Sequence, residues 1–341
     1  MYLNINRFLP YQRNFIFING ERSIGKTYST EKFVIGDCIK KGTEFVYIVR
    51  TQNEKKEGIF KQALKKVLEN EFSNTKIEIS NDEFYYYKDE EDKSKKILCG
   101  YCLALSEAPK IKLKSFPKVK YIIFDEYTLE SNQSRKYING FKEPDLFLSI
   151  YHTVDREEDR VICFLLGNNT SFFNPYHLHS AFRIPQVKKN TIWFSENVLF
   201  FWATSDDELK EKKSNCKFLN MINNTDYGTY AKDGEYIDDN YNFIDKKVGG
   251  SYICTLLNEG EAFGVLNDLK RGLIFITDKP DKSNKIIYAL SDSDHKENTM
   301  LTRGKKPTIL KWISDQYKMG NIRFVSMEVK IKAENALKFL L

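Results

Sequence analysis

Apolar residues along this chain fall into short, nearly continuous runs separated by stretches in which they recur every three or four positions. The runs FIFI (15–18), FVYIV (45–49), ILCGYCLAL (97–105), VKYIIF (119–124) and VICFLL (161–166) predict strands buried on both faces. Residues 26–41 carry Phe33, Val34 and Ile39 among polar neighbours and stop at Gly42, which predicts a helix. A charged helix is predicted at 56–72 and an apolar-periodic one at PDLFLSIYHTV, 144–154. KIEIS and EFYYYK predict a β excursion before the charged turn DEEDKSKK (89–96), and 130–142 predicts a polar loop. Strands alternating with helices predict an α/β domain built on a parallel sheet. From 183 to 225 the pattern loosens into a linker region with a charged helical stretch, DDELKEKK. Beyond it, SYICTLL, EAFGVLN and GLIFITD predict hairpin-like strands, with a helix near 307–319. The expected division is 1–182, a linker over 183–225, and a smaller α+β domain over 226–341.

Composition narrows the class only a little. The 341 residues suffice for two cores, and 41% hydrophobic with 29% charged residues describes an ordinary soluble chain. A net charge of +6 permits an anionic partner without demanding one. No stretch approaches eighteen consecutive apolar residues, and MYLNINRFLPYQRN lacks the apolar core of a secretion signal, so a cytoplasmic protein off the membrane is expected. Cys99-x2-Cys102 lies inside a predicted strand with no second pair at zinc-binding spacing, so buried thiols are expected. His177 and His179, beside Pro175, read as polar loop residues, and Tyr85–Tyr87 as sheet packing.

One motif changes the picture. Gly20-Glu21-Arg22-Ser23-Ile24-Gly25-Lys26-Thr27 stands between the first predicted strand and the first predicted helix. Glycines let successive backbone N–H groups curl around a phosphate chain, and the helix N-terminus favours negative charge. Lys26 would neutralise the outer phosphates of ATP, and the Thr27 hydroxyl would sit on the Mg²⁺ that bridges them. With strand and helix both in place, this is a P-loop.

Hydrolysis needs more than a cradle. The strand YIIFDE delivers Asp125 and Glu126 to its C-terminal end, the edge where ligands lie in open α/β sheets. Asp125 would order the Mg²⁺ shell, and Glu126 would polarise the attacking water as general base. Such an acid pair marks the P-loop branch with a catalytic glutamate, which inserts an extra strand between the P-loop strand and the Asp-Glu strand. The β-runs between those two segments leave room for it. Asn168, closing RVICFLLGNN, is placed to contact the γ-phosphate or the lytic water. Arg156, just past the 144–154 helix, is the arginine best placed to enter a neighbour's site, with Arg160 second.

In this order GERSIGKT, FVYIVR, F-P-x-V-x-x-I-I-F-D-E (116–126), T-V-x-R (153–156), L-x-N (166–168), N-P-Y (174–176) and T-x-Y-G (225–228) resemble the DNA-packaging (encapsidation) ATPases of the phi-twenty-nine-like phages. These are ring motors of the FtsK/HerA-like ASCE P-loop branch. The resemblance implies a homomeric ring, usually a pentamer, at the portal (connector) vertex, docked on a prohead RNA and driving double-stranded DNA inward with ATP. It implies residence in the host cytoplasm, transiently on the prohead, and absence from the mature virion. Lys26, Thr27, Asp125 and Glu126 carry over directly, Arg156 falls on the family's trans-acting arginine, and Lys112 falls on a lysine near the inter-subunit site. The second domain would be a reduced, vestigial RNase H-like nuclease that binds DNA or RNA without cutting it. In this branch the loop after the second strand faces the ring channel, so Lys55 and Lys56 are expected on DNA phosphates. The competing classes are a helicase or repair-type ATPase of the same branch, and a nucleic-acid-binding protein with ATP as a switch. The first would show further motifs after the acid pair, and the second would not need Glu126.

Overall fold

A computed structural model of the chain describes residues 3–73, 75, 77–80, 82–87, 96–130, 136–222, 224–225, 228, 236, 241–302, 306–338 and 340. The turn at 89–95, part of the 130–142 loop and the middle of T-x-Y-G lie outside the described residues. Two compact units are formed, Met1–Asp239 and Asn240–Leu341.

The first unit is built on a nine-stranded sheet. Its strands are β1 (Phe15–Gly20), β2 (Glu44–Val49), β3 (Ile77–Ser80), β4 (Glu83–Tyr87), β5 (Lys96–Ala104), β6 (Val119–Asp125), β7 (Ile162–Asn168), β8 (Ile192–Phe194) and β9 (Val198–Ala203). They lie in the order β3-β4-β5-β2-β6-β7-β1-β9-β8. From β5 to β9 all pairings are parallel, and the edge pairs β3–β4, β4–β5 and β8–β9 are antiparallel.

Both faces are covered, which is why the strands read as unbroken apolar runs. In β1, Ile16 and Ile18 pack with Val34, Ile35 and Cys38 of α1 (Lys26–Lys41) and with Leu64 and Val67 of the helix Ile59–Glu71. Phe15 and Phe17 point the other way, toward Phe147, Ile150 and Val154 of the helix Glu143–Asp155. Cys99 and Cys102 are buried in β5, and no cysteine is in a disulfide.

Three expectations are corrected. Residues 183–225 are not a linker throughout, because Val198–Ala203 is an apolar run that completes the second side of β1, from Phe15↔Val198 to Gly20↔Ala203. The first unit accordingly runs to Asp239 rather than ending at 182. The strand between β1 and β6 is β7, which follows the acid pair in sequence; the earlier β-runs lie beyond β6. An apolar run reports that a strand is buried, not who its neighbours are. Finally, His177 is no loop residue: it is 1% exposed on the one-turn helix Pro175–Leu178, with its ring bonded to Tyr127 Oη and Phe172 O.

Burial pushes His177 from 6.5 down to about 3, against a smaller upward pull from the Phe172 carbonyl. The unfolded chain therefore takes up this proton first, and stability present above pH 6.5 is lost as the pH falls toward 3. Relative to a His177→Gln variant, the native chain should lose about 1.4 kcal/mol per pH unit across that window. Urea unfolding at pH 7, 6 and 5 checks this; parallel curves would mean that His177 protonates inside the fold.

The second unit is a six-stranded sheet with strands Ser251–Asn258, Glu261–Asp268, Leu273–Thr277, Ile287–Ala289, Met300–Leu301 and Ile322–Phe324. The first three form an antiparallel meander, and the fourth and fifth add in parallel beside the first. The sixth pairs in parallel with the third, so the order is 6-3-2-1-4-5. The helix Thr308–Lys318 lies where expected, and a second helix, Met327–Lys338, went unread.

Candidate active site

At the C-terminal ends of β1, β6 and β7 the chain forms an open cleft of about 490 Å³. Gly20 ends β1 so close to β9 that an added Cβ would stand 2.6 Å from the Ala203 carbonyl. The loop then turns through Ser23 (φ +69°) and Gly25 (φ +81°), the N-cap residue just before α1. Ile24 anchors this turn in the core, and Arg22 reaches outward to Glu130 at 2.5 Å. Glu21 turns inward, accepting from the Ser205 hydroxyl and pairing with buried Lys213 at the end of the helix Asp207–Ser214.

Lys26 lies under the loop, its Nζ donating to Gly20 O (2.9 Å), Glu21 O (2.8 Å) and Asn168 Oδ1 (3.2 Å). Burial brings its ammonium down to about 8, against the opposing pull of Asp125 and Glu21. Thr27 Oγ1 donates to Asp125 Oδ2 at 3.0 Å. Burial, then the Glu126 charge, raises Asp125 to about 6. The P-loop, Asp125, Glu126 and Asn168 therefore meet around one cleft, as their sequence positions predict.

A hydroxyl and a carboxylate are the hard oxygen donors that Mg²⁺ prefers, and Mg²⁺ ordinarily takes only one or two carboxylates beside phosphate oxygens and water. The donor set fits. Among the described residues no group of three or more His, Cys, Asp or Glu side chains could hold a metal unaided. Glu31, one turn beyond Thr27, also lines the cleft: its Oε1 is buried without a hydrogen-bond partner, and burial, then Asp125, raises its carboxyl to about 8.

Glu126 adopts φ +55°, a left-handed conformation costing a non-glycine residue about 1–2 kcal/mol. Its N–H donates to Asp125 Oδ1 (3.1 Å), and its carboxylate side chain is exposed at the cleft.

Arg156 and Lys112 lie elsewhere. Arg156 caps the end of the helix Glu143–Asp155 at φ +54°, and its Nη2 approaches Lys114 O at 3.4 Å. Both segments precede the first residues of β7 and β6, so they sit at the sheet edge opposite the P-loop. With seven residues in each strand, the separation is roughly 20 Å. Arg156 and exposed Lys112 thus share a face that cannot serve their own cleft. The turn presenting Arg156 is built on buried Asp155, whose carboxylate accepts the N–H groups of Asp159, Arg160 and Val161 at 2.9–3.0 Å. Arg160 is excluded as a substitute, since its guanidinium is bonded to the carbonyls of Phe116, Val119 and Val154.

Lys55 and Lys56 lie on the short helix Gln52–Glu57. Lys55 is held by Asp82 (2.8 Å) and Glu107 (2.5 Å), so its charge is already answered inside the fold; Lys56 is exposed. Sequence reasoning missed Glu31, Tyr28 and Lys66, which also line the cleft. Glu31 was legible, four residues from Thr27 on one helix face. Lys66 arrives through the packing of Ile59–Glu71 on α1, which no local pattern announces.

A family model described as Podovirus DNA encapsidation protein (Gp16) matches residues 1–339. The chain is 30% identical to the DNA packaging protein of Bacillus phage B103 over 318 residues, 93% of this chain and 94% of that one. It is 29% identical to that of Bacillus phage phi29 over 334 residues, 97% and 95% of the two chains. A solved chain from the bacteriophage Phi-29 viral genome packaging motor assembly superposes with a TM-score of 0.74 at 26% identity, covering 100% of this chain and 99% of that one.

Proposed function

Because this chain belongs to the podovirus DNA encapsidation protein (Gp16) family, we propose that it is the ATP-hydrolysing subunit of a motor that drives double-stranded viral DNA into a preformed prohead. The observation that carries this reading is the convergence of the P-loop, Asp125, Glu126 and Asn168 on one cleft in a chain matched over its length. Lys26 and the N-terminus of α1 bind the phosphates, and Asn168 orients the γ-phosphate end. Mg²⁺, held by Thr27 and Asp125, would neutralise charge on the phosphate oxygens. Glu126 takes the proton of the attacking water.

Arg156 and Lys112 serve a neighbouring subunit's cleft, so the active form is a homomeric ring, a pentamer on the family's pattern. It sits in the host cytoplasm, transiently on the portal vertex of the prohead, against the prohead RNA, and is left out of the mature virion. The second unit binds DNA or RNA without cutting it.

The test is to combine the purified chain, cognate proheads, DNA and ATP, and to measure nuclease-resistant DNA. Protection that requires ATP supports the motor. ATPase activity stimulated by single-stranded DNA but not by proheads would favour a helicase instead. Of the two channel lysines, Lys56 is the one available to phosphates. Lys56→Ala should lower the slope of log affinity for double-stranded DNA against log salt by about one, whereas Lys55→Ala should leave it unchanged. An unchanged slope for Lys56→Ala would remove this helix from the DNA path.

A further inference from the structure

The phosphate-binding loop carries an acid at its second position. Glu21 is 3% exposed, and its carboxylate accepts from Ser205 N–H at 3.2 Å, from the Ser205 hydroxyl and from Lys213 Nζ. Ser205 and Lys213 are themselves buried, and they lie 184 and 192 residues further along the chain, in the segment that follows β9. Lys213 stands near the end of the helix Asp207–Ser214. None of the three residues lines the nucleotide cleft. The Glu21 main chain nevertheless holds the cation of the site, its carbonyl accepting from Lys26 Nζ at 2.8 Å.

We propose that Lys213 is a positioning residue of the nucleotide site, neutralising and tethering the Glu21 carboxylate so that the loop accepts a phosphate chain. The inference rests on the reading of the cleft as an ATP site.

Three physical points carry it. Backbone N–H groups and the N-terminus of α1 draw negative charge to this loop, so an unanswered carboxylate within it would oppose the phosphates. The charges of the pair also reach the phosphate-binding cation: after burial and Asp125, Glu21 and then Lys213 act on the Lys26 ammonium, with opposite sign. Finally, a buried ion pair is poor stabilisation, since apolar residues of similar volume serve as well or better, so stability alone does not account for it.

The experiment uses the full chain with Lys213→Met, and with Lys213→Met and Glu21→Gln combined. Melting temperature, affinity for fluorescent ATP and ADP analogues, and steady-state hydrolysis are read for each. We expect Lys213→Met to lower ATP affinity about 10- to 100-fold and ADP affinity less, because the penalty follows the charge on the phosphates. KM should rise while kcat stays within about threefold of native, since the pair acts on charge already present in bound nucleotide. Adding Glu21→Gln should recover most of the lost affinity.

The native protein supplies an arm that needs no substitution. Coupling is reciprocal, so saturating ATP should slow hydrogen exchange of the Asp207–Ser214 amides by about 10-fold or more, and ADP should slow it less.

Unchanged ATP affinity in folded Lys213→Met overturns the proposal. An equal loss for ATP and ADP, or a loss that Glu21→Gln does not recover, overturns it too, because the contact would then shape the loop rather than balance its charge. Should Lys213→Met fail to fold, exchange over 207–214 that ignores ATP decides against it. If the native chain bound no ATP, the reading of the cleft would fall first and the inference with it. Native binding beside an indifferent Lys213→Met removes the inference alone.

Discussion

Rings in which every subunit carries Arg156→Ala should still bind ATP and should lose turnover by about 10³–10⁵-fold, the contribution an arginine makes to charge developing on a transferring phosphoryl group. The structure sharpens this expectation. Arg156 stands at the sheet edge opposite its own P-loop, beside Lys112 and beyond the length of β6, so a role in cis is geometrically closed. Mixing Arg156→Ala subunits with Glu126→Gln subunits should therefore restore part of the turnover, at interfaces where an intact Arg156 meets a neighbour's intact Glu126. ATPase rates across a series of mixing ratios, with co-assembly confirmed, give the measurement. Flat, near-zero rates throughout would take Arg156 out of catalysis. Arg160 could not replace it, because that guanidinium is already bonded to three backbone carbonyls.

Lys26→Ala and Glu126→Gln should fail in different ways. Lys26 meets charge already present in bound ATP, so its loss should appear chiefly as lost nucleotide affinity. Glu126 acts on the water only as the bond forms, so Glu126→Gln should bind ATP normally and lose about 10²–10⁴-fold in turnover. Equilibrium binding of a fluorescent ATP analogue, set beside steady-state hydrolysis, separates the two. Native-like hydrolysis by Glu126→Gln would reassign the base.

The strands and the nucleotide cleft were legible because each is written locally. Burial on both faces leaves an unbroken run such as FIFI, and phosphate binding at a helix N-terminus dictates Gly20-x4-Gly25-Lys26-Thr27 at fixed spacing. What stayed hidden depends on partners distant in sequence. VLFFWA (198–203) is as apolar as the other strand runs, but nothing in it says that it pairs with β1. Lys55 has the appearance of any solvated lysine until Asp82 and Glu107 are brought against it. His177 was misread for the same reason, since its burial is set by Phe172, Phe200 and Tyr127 rather than by the neighbouring proline.

The place of β1 in the sheet has a consequence for how the chain is made. Phe15–Gly20 emerges from the ribosome near the beginning, yet both its partners, Ile162–Asn168 and Val198–Ala203, come far later. At roughly 5–20 residues per second, the stretch up to Ala203 takes on the order of 10–40 s to synthesise. Until Ile162–Asn168 is made, a strand of two phenylalanines and two isoleucines has neither neighbour in place, and until Val198–Ala203 is made it has only one; the hairpin-forming β3, β4 and β5 are complete before either. Such a segment is a target for chaperones and for pairing with other nascent chains. The P-loop that follows it cannot take its final shape until β9 has arrived, because Gly20 closes against Ala203. Competence to bind nucleotide is thus withheld until more than half of the polypeptide has been made.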